Sequence, residues 1–326
     1  MTITRRVALT AASLASALTP FAARAQGAFP NRTLRLVVPF PPGGSTDLTG
    51  RLVAEKLQAA LGQPVVVENR GGASGGIGSQ AVSRMAPDGY SLVVSSVGSH
   101  GIVPAVVANP GYDAMRDFTH IGMLGVFHSV LVVHPAFPAR DLAGFIAEAK
   151  RRPGALNYAT SGIGSSNHLM GEVMKAEAGI DIVHVPYRGA GPALQAVIAG
   201  EVPAMCDSLP SAAPHIRAGL LRAIAVTSRT RLASMPDVPT FIESGMPKVV
   251  VENWFGLAGP AGMPAAVTER LNRALAEALA QPDLLGKYRD LGLESQVLDV
   301  PAMTSFVEEN LAFWASAVRS AGITAS

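Results

Sequence analysis

The sequence predicts an α/β protein of two domains. Strand-like and helix-like segments alternate along the chain, which is typical of βα units and favours a largely parallel sheet. Short loops rich in glycine or proline separate these segments, and the chain contains 33 glycines and 24 prolines but only 6% aromatic residues. The length of 326 residues exceeds one typical core and suits two domains of roughly 150 residues each.

A first series of βα units follows the N-terminal segment. The apolar segment 34–38 predicts a strand, and the leucines and valine that follow at helical spacing predict a helix that ends at Gly62. The series continues with strands at 65–67 and 92–94 and a short helix at 77–85.

A second series begins near His128 and shows the same alternation. The predicted strands cover residues 130–133, 157–159, 182–185, 202–205 and 223–226. The predicted helices cover residues 142–151, which Asp141 caps, 167–178 and 191–198. After Pro264 the pattern predicts two or three further helices. Trp314 lies within the apolar stripe of the last one, which predicts a place in the core.

The first 25 residues predict an export signal. A basic pair, Arg5-Arg6, precedes an Ala-rich apolar run at 7–22, and Ala23-Arg24-Ala25 has the small residues of a cleavage site. Serine, threonine and proline interrupt this run, which is also short for a membrane span. The arginine pair leaves general and twin-arginine export both open. The mature chain is therefore expected to begin at Gln26.

Removing the signal changes the charge of the chain. Residues 1–25 hold three of the 26 basic residues and no acidic one, so 23 basic residues face 24 acidic ones and the net charge falls from +2 to −1. A nearly neutral chain without a basic run argues against binding to nucleic acid or to an anionic membrane. The single Cys206 forms no internal disulfide and is expected to be a buried thiol.

Three glycine-rich loops each separate a predicted strand from a predicted helix, at residues 39–47, 160–167 and 70–78. Glycine lets the backbone approach a ligand, and the free N–H groups at the start of a helix favour an anion. The first two loops lie in different series, so we expect a cleft between the domains that holds a carboxylate. For any single loop, a tight capped connection is the alternative.

The third loop also matches two enzyme motifs. Gly72-Ala73-Ser74-Gly75-Gly76 fits the G-x-S-x-G pattern of serine hydrolases, and residues 76–81 fit a dinucleotide-binding pattern. However, Arg70 and Gly71 separate Ser74 from its strand, and no acidic residue follows at the distance that dinucleotide binding requires. A secreted serine hydrolase that uses Ser74 remains the alternative function.

The histidines and the cysteine predict no metal site and no cofactor. The seven histidines lack the spacing of metal ligands, and one cysteine cannot supply a thiolate cluster. His168, in the first turn of the helix after the second loop, is expected either to contact a ligand or to pack on that loop.

Six segments resemble the Bug family, the TctC-like extracytoplasmic receptors of tripartite tricarboxylate transporters. They occur in order along the chain: VPFPPGGSTD at 38–47, VENRGGA at 67–73, PDGY at 87–90, YATSGIGS at 158–165, VPYRG at 185–189 and MPDVPT at 235–240.

The resemblance implies a periplasmic binding protein of the type II class, with two α/β domains joined by two crossing strands and a ligand enclosed between them. Residues 26–127 and 229–326, including the C-terminal helices, would form domain 1, and residues 128–228 would form domain 2. The chain would be no enzyme but a monomeric periplasmic receptor. Its partners would be a small organic carboxylate and the integral-membrane permease subunits of the transporter, or a related receptor.

The resemblance also assigns the first two loops to opposite walls of the cleft and places Asp207 so that it faces the cleft. Arg188 is either a partner for a second carboxylate or a solvated turn residue. Gly44 and Gly164 are expected to matter because they lack side chains. The candidate ligand-binding residues are Phe40, Gly43, Gly44, Ser45, Asp47, Ser161, Gly162, Gly164, Ser165, His168, Arg188 and Asp207. These loops would bind the common carboxylate, so they do not indicate which organic acid it belongs to.

Overall fold

The computed structural model describes residues 29–320, with side chains described through residue 316. The predicted export signal at residues 1–25 lies outside the described residues. Within the described part of the chain, none of the helices combines the length and the apolar character needed to cross a membrane.

The elements before residue 118 form a βα series. They are β1 (Leu34–Val38), α1 (Ser45–Leu61), β2 (Val65–Asn69), α2 (Gly76–Ser83), β3 (Ser91–Ser96) and α3 (Val103–Val106). A 3₁₀ turn at Ala73–Gly75 precedes α2, and a π-helical turn at Gly98–Ile102 leads into α3. Gly62 ends α1 in the left-handed conformation that its lack of a side chain permits.

A long strand, β4 (Phe118–Val133), opens the remainder of the chain. It is followed by α4 (Leu142–Arg151), β5 (Asn157–Thr160), α5 (Ser166–Ala178), β6 (Val183–Pro186), α6 (Ala190–Ile198), β7 (Ala204–Ser208), α7 (Leu209–Arg217) and β8 (Arg222–Val226). The last elements are β9 (Glu252–Pro260), α8 (Ala265–Leu279), α9 (Pro282–Leu291), β10 (Leu293–Glu294) and α10 (Val300–Ser320). Up to residue 320, three helices therefore follow Pro264, in agreement with the sequence pattern.

The strands form a sheet in the order β2-β1-β3-β9-β4-β7-β5-β6, with β8 and β10 also paired to β4. The outer pairs are parallel, as βα units require. Every pair that involves β4 or β9 is antiparallel. The expectation of a largely parallel sheet is therefore wrong for the centre, because two strands there run against the βα units on either side.

β4 divides the molecule into two lobes. Its residues Phe118–His128 pair with β9, whereas Ser129–Val133 pair with β7 and β8. We define the first lobe as β1–β3, β9, β10, α1–α3 and α8–α10, and the second lobe as β5–β8 and α4–α7. The chain passes between the lobes twice, once within β4 and once in the segment 227–251 that leads from β8 to β9.

Five elements of the described chain lie wholly or partly outside the sequence prediction: α3, the first twelve residues of β4, α7, β9 and β10. The first twelve residues of β4 contain glycine, histidine and serine among the apolar residues, and two register irregularities near Gly122 and Gly125 break the alternation. β9 was missed, and α7 escaped notice because Pro210 and Pro214 lie within it. In these segments, tertiary packing overrides a weak local pattern.

Each lobe has its own apolar core. In the first lobe, α1 and α8 pack on the sheet through residues such as Leu57, Leu92 and Leu275. In the second lobe, Phe145, Tyr158 and other fully buried residues pack between the sheet and its helices. Cys206 is a buried free thiol in this core, as expected. Trp314 of α10 packs with Ile102 and Trp254 in the first lobe, so its predicted place in the core is confirmed.

The two crossing segments are joined by buried hydrogen bonds at Ser129 and Thr227. The backbone N–H of Ser129 donates to Thr227 Oγ1 (2.9 Å), and the backbone N–H of Thr227 donates to the carbonyl of Ser129 (2.9 Å). The Thr227 hydroxyl in turn donates to the carbonyl of Val251 (2.6 Å). Thr227 thus bonds to both Ser129 and Val251 through its backbone N–H and its hydroxyl.

Replacing Thr227 with valine should destabilise the protein by about 1–3 kcal/mol, because the Ser129 N–H would lose its buried partner and the Val251 carbonyl would keep only the longer bond with His128 Nδ1 (3.3 Å). Urea unfolding of the two proteins measures this loss. Thr227→Ser keeps the hydroxyl and should retain most of the stability. Equal stability of the valine variant and the wild type would show that these bonds do not hold the crossing segments.

Candidate functional site

A cavity lies between the lobes where the β1–α1 loop meets the β5–α5 loop. The space free of protein atoms amounts to about 550 Å³, a figure that includes open solvent at the mouth of the cavity. The first lobe contributes Phe40, Pro41, Gly44, Ser45, Thr46, Ser74, Ser96, Val97, Gly98, Phe127, Asn253 and Phe255, and the second lobe contributes Ser161, Ser165, Ser166, Asn167, Ala190 and Ser208. We call this space the first cavity.

Two helices direct their N-termini at the first cavity. α1 begins at Ser45 after Gly44, and no side chain caps it, so its first-turn N–H groups remain free for a ligand. α5 begins at Ser166, and only one of its first N–H groups is satisfied by the Ser165 hydroxyl, which accepts from His168 N (3.1 Å). Both helix dipoles place partial positive charge at this point, which favours an anion.

None of the described residues that line the first cavity carries a formal charge. Serine, threonine and asparagine supply its polar side chains, while Phe127 and Phe255 form an apolar floor with their rings stacked at 4.4 Å. Backbone dipoles, rather than lysine or arginine, therefore set its preference for negative charge. The floor suits the carbon skeleton of a small ligand.

A buried hydrogen-bond chain connects the crossing strands to this cavity. The Ser129 hydroxyl donates to Asn167 Oδ1 (2.9 Å) and accepts from Asn253 Nδ2 (3.0 Å). Asn167 Nδ2 donates to the Ser208 hydroxyl (3.3 Å). The Oδ1 atom of Asn253 has no partner among the described residues. These hydrogen bonds orient the side chains of Asn167, Ser208 and Asn253 toward the cavity. The sequence pattern gave no signal for Asn253, because it lies on β9, far from the two loops in sequence.

The β1–α1 loop is shaped by Asp47, which turns away from the cavity. Its carboxylate accepts from Gly43 N (3.0 Å) and from Asn69 Nδ2 (2.8 Å), and it pairs with Arg51 (2.9 Å). Burial raises the pKa of Asp47, but these bonds together lower it below its usual value. Asn69 also donates to the carbonyl of Phe40 (3.1 Å), so Asp47 and Asn69 clamp the loop that presents Phe40 and Gly44.

A second, more open cavity adjoins the first at the cleft mouth. It holds about 1330 Å³, which includes solvent at its mouth, and it is bordered by the third glycine-rich loop and by residues 186–189. Gly162 and Arg188 line it, and Arg188 is exposed. Arg188 is the one cationic side chain among the described residues of its lining.

The predicted site residues thus fall into groups. Phe40, Gly44, Ser45, Ser161 and Ser165 line the first cavity, and Gly162 and Arg188 line the second. Gly43, Asp47, Gly164 and His168 belong to the two loops or their helices but line neither cavity.

Asp207 lies on β7 behind the cleft and lines neither cavity. It is fully buried, its Oδ2 accepts from the Ser211 hydroxyl (2.8 Å), and its Oδ1 has no partner within the described range. Burial raises the pKa of Asp207 to about 7, against the opposing effect of the bonds from Ser211 and from the backbone of Ser208.

The third glycine-rich loop contacts the opposite lobe. The Ser74 hydroxyl donates to the carbonyl of Ile163 (2.9 Å), so this serine joins the two lobes at the cleft mouth. No histidine in the described part of the chain makes a hydrogen bond with Ser74, and the geometry gives the hydrolase alternative no support. Gly78 lies inside α2, where a Cβ would be 2.7 Å from the carbonyl of Arg70. That glycine therefore serves packing, and the dinucleotide motif is a chance match.

Sequence comparison identifies relatives over most of the chain. Residues 49–323 match the family described as tripartite tricarboxylate transporter family receptor. Protein BugT of Bordetella pertussis (strain Tohama I) is 36% identical over 295 residues, which cover 90% of each chain.

Three solved structures have a similar fold. The periplasmic binding protein BugD has a TM-score of 0.87 at 33% identity, with 91% of this chain and 99% of the other covered. Rpa4515 of R. palustris with adipate has a TM-score of 0.87 at 34% identity and the same coverage. MatC (Rpa3494) from Rhodopseudomonas palustris with bound malate has a TM-score of 0.83 at 35% identity, with 89% and 100% covered. The predicted fold class, an α/β periplasmic binding protein, is confirmed.

Asp207→Asn should stabilise the protein at pH 8 and have little effect at pH 4. In the wild type the folded-state pKa is about 7 against an ordinary value of 3.8, so stability is lost as the pH rises through this interval, while asparagine does not ionise. Thermal unfolding of both proteins from pH 4 to pH 8 tests this difference. A constant difference in melting temperature across the range would contradict the buried, protonated state of Asp207.

Proposed function

Because the chain belongs to the family of tripartite tricarboxylate transporter receptors, we propose that it captures a small organic carboxylate between its two lobes and presents it to a membrane transporter. The observation that carries this proposal is the pair of helix N-termini, of α1 and α5, directed from opposite lobes at a cavity whose described lining residues are uncharged. A carboxylate satisfies free N–H groups from both lobes at once, so it favours the closed arrangement.

In this proposal the predicted site residues have two roles. Gly44, Ser45 and Ser161 offer backbone or hydroxyl groups to the carboxylate, and Phe40 covers it. Ser165 lines the cavity but caps α5, because its hydroxyl accepts from His168 N and donates to the carbonyl of Gly162. Gly43, Asp47, Gly164 and His168 give the loops their shape. Gly162 and Arg188 border the second cavity, where Arg188 is available to a second carboxylate of the ligand. Asp207 supports β7 from behind the cleft.

The domain boundaries follow from the same proposal. The boundary expected at residue 229 moves to residue 252, because Phe241, Met246 and Val249 pack in the core of the second lobe. Residues 26–127 with 252–326 move as one body and residues 128–251 as the other, with the bend near Ser129 and Val251, which are both bonded to Thr227. Residues 1–25 direct export to the periplasm. The chain acts there as a monomer without a cofactor, and its closed form docks on integral-membrane permease subunits or on a related receptor.

Calorimetric titration of the mature chain with malate and with adipate tests the function. We expect one of these acids, or another member of a panel of small carboxylates, to bind one per chain and to raise the unfolding free energy by about 2.7 kcal/mol at a hundredfold excess over Kd. The uncharged diamide of the same acid is the matched control and should not bind. Absence of binding across the panel, together with ester turnover that Ser74→Ala abolishes, would favour a hydrolase instead.

Gly191→Ala should hold the cleft open. Gly191 lies in the first turn of α6, where a Cβ would be 2.7 Å from the carbonyl oxygen of Pro42 on the other lobe. Alanine is the better helix former by about 1 kcal/mol, so the variant should fold, but its methyl group obstructs the contact between the loops. We expect binding of the carboxylate to weaken about tenfold or more, and the radius of gyration from small-angle scattering to stay at its ligand-free value.

Gly286→Ala on α9 is the control for this experiment, because a Cβ there meets no atom within 4 Å. It should bind and close like the wild type. If Gly191→Ala also bound and closed normally, contact between Pro42 and Gly191 would not be part of the closed state.

A further inference from the structure

The β5–α5 loop, residues 161–165, is held from behind by two stacked histidines. The rings of His168 on α5 and His184 on β6 lie with their centroids 4.2 Å apart and their planes inclined by only 20°. Neither ring lines either cavity. Both therefore act on the loop from its far side instead of contacting a ligand in the cleft.

Each histidine bonds to a different part of this loop. The backbone N–H of Gly164 donates to His168 Nδ1 (3.3 Å), which requires that Nδ1 carry no proton. His184 Nε2 shares a hydrogen bond with Thr160 Oγ1 (2.7 Å), and the same hydroxyl oxygen accepts from Gly162 N (3.2 Å). The position of Gly164 thus depends on a neutral His168, and that of Gly162 depends on the Thr160 hydroxyl that His184 contacts.

Charged and titratable groups lie close to the pair on α5 and β5. On α5, Glu172 lies 4.0 Å from His168 Nε2 and is itself paired with Lys175 (3.0 Å). On β5, Tyr158 donates to Glu172 (2.7 Å), and its ring lies 5.2 Å from that of His184. Burial and the nearby charge of Lys175 lower the pKa of His168, whereas the attraction of Glu172 raises it.

We propose that His168, stacked on His184, is a positioning residue that holds the carboxylate-binding loop through Gly164 only while its imidazole is neutral, so that ligand capture weakens in acid. This inference rests on the proposed function, since it assigns the loop to carboxylate binding. It names a group outside both cavities as a determinant of affinity.

The physical reason is the exchange of an acceptor for a donor. Protonation of Nδ1 places an N–H against the N–H of Gly164, and a second proton on His184 places two cations in contact. Burial lowers the pKa of His168 below its ordinary value, and burial followed by the charge of His168 lowers the pKa of His184 to about 4. Both histidines have a lower pKa in the folded protein than the ordinary value of 6.5, so at higher pH they are neutral and the loop is held. The loop is released as the pH falls from 6.5 through the lowered pKa values.

The decisive variant is His168→Asn, because the asparagine Oδ1 can accept from Gly164 N in place of Nδ1 but does not titrate. His168→Phe is its counterpart, since it keeps a ring against His184 and removes the acceptor. Both variants are first checked by circular dichroism and thermal unfolding at pH 8. This pair separates the hydrogen bond to Gly164 from the packing of the ring.

Binding of malate or adipate, whichever binds at pH 8, is then measured down to pH 5. In the wild type, Kd should rise about tenfold per pH unit below the pKa of His168, beyond the change that the acid's own titration causes. His168→Asn should show only the change due to the acid, because the same ligand titrates in both experiments. His168→Phe should bind more weakly at every pH. Identical pH profiles of wild type and His168→Asn would overturn the inference.

A measurement without ligand keeps the two proposals distinguishable. In protein labelled with ¹⁵N-glycine, the amide resonance of Gly164 should shift with the titration of His168 in the wild type and stay constant in His168→Asn. If no carboxylate binds at pH 8, the proposed function fails and this titration alone decides whether His168 holds the loop. A Gly164 resonance that is insensitive to pH in the wild type would refute the role of His168.

Discussion

The structure depends on the hydrogen bonds of Ser129, at the point where β4 leaves one lobe and enters the other. Its backbone bonds to Thr227 on the second crossing segment, and its hydroxyl bonds to Asn253 of the first lobe and to Asn167 of the second. A buried side chain that lost one of these partners would retain the full cost of its desolvation, so the four groups constrain one another. The bend between the lobes and the polar wall of the first cavity therefore belong to one bonded unit.

Negative charge is attracted to this cavity without a lysine or arginine in its described lining. The N-termini of α1 and α5 supply the positive electrostatic field. This field is strongest when the two lobes bring both N-termini close to the same point. A fixed cation would attract an anion in the open form as well, whereas paired dipoles on separate lobes make affinity depend on closure. Gly191 permits that approach, because without a side chain it leaves room for the carbonyl oxygen of Pro42 on the opposite lobe.

The loops around the first cavity are supported by side chains that do not line it. Asp47 and Asn69 clamp the β1–α1 loop, and His168 and His184 support the β5–α5 loop. The two supports differ in chemistry. The bonds of Asp47 favour its charged form, while the bond of His168 to Gly164 requires its neutral form. One wall of the cleft is thus stable toward mild acid, and the other responds to it.

Local spacing along the chain was enough to predict much of this molecule. Apolar periodicity located α1, α4 and α5, Gly62 marked a helix end, and the glycine-rich loops at 39–47 and 160–167 indicated the walls of the cleft. Family resemblance added the two-lobed fold. The sequence by itself determined these features because each depends on neighbouring residues. The tertiary structure alone decided the antiparallel centre of the sheet, the entry of Asn253 into the cavity, the withdrawal of Asp207 and the stacking of His168 on His184. Each of these joins residues that are distant in sequence or chooses the face on which a side chain lies, and only packing sets those relations.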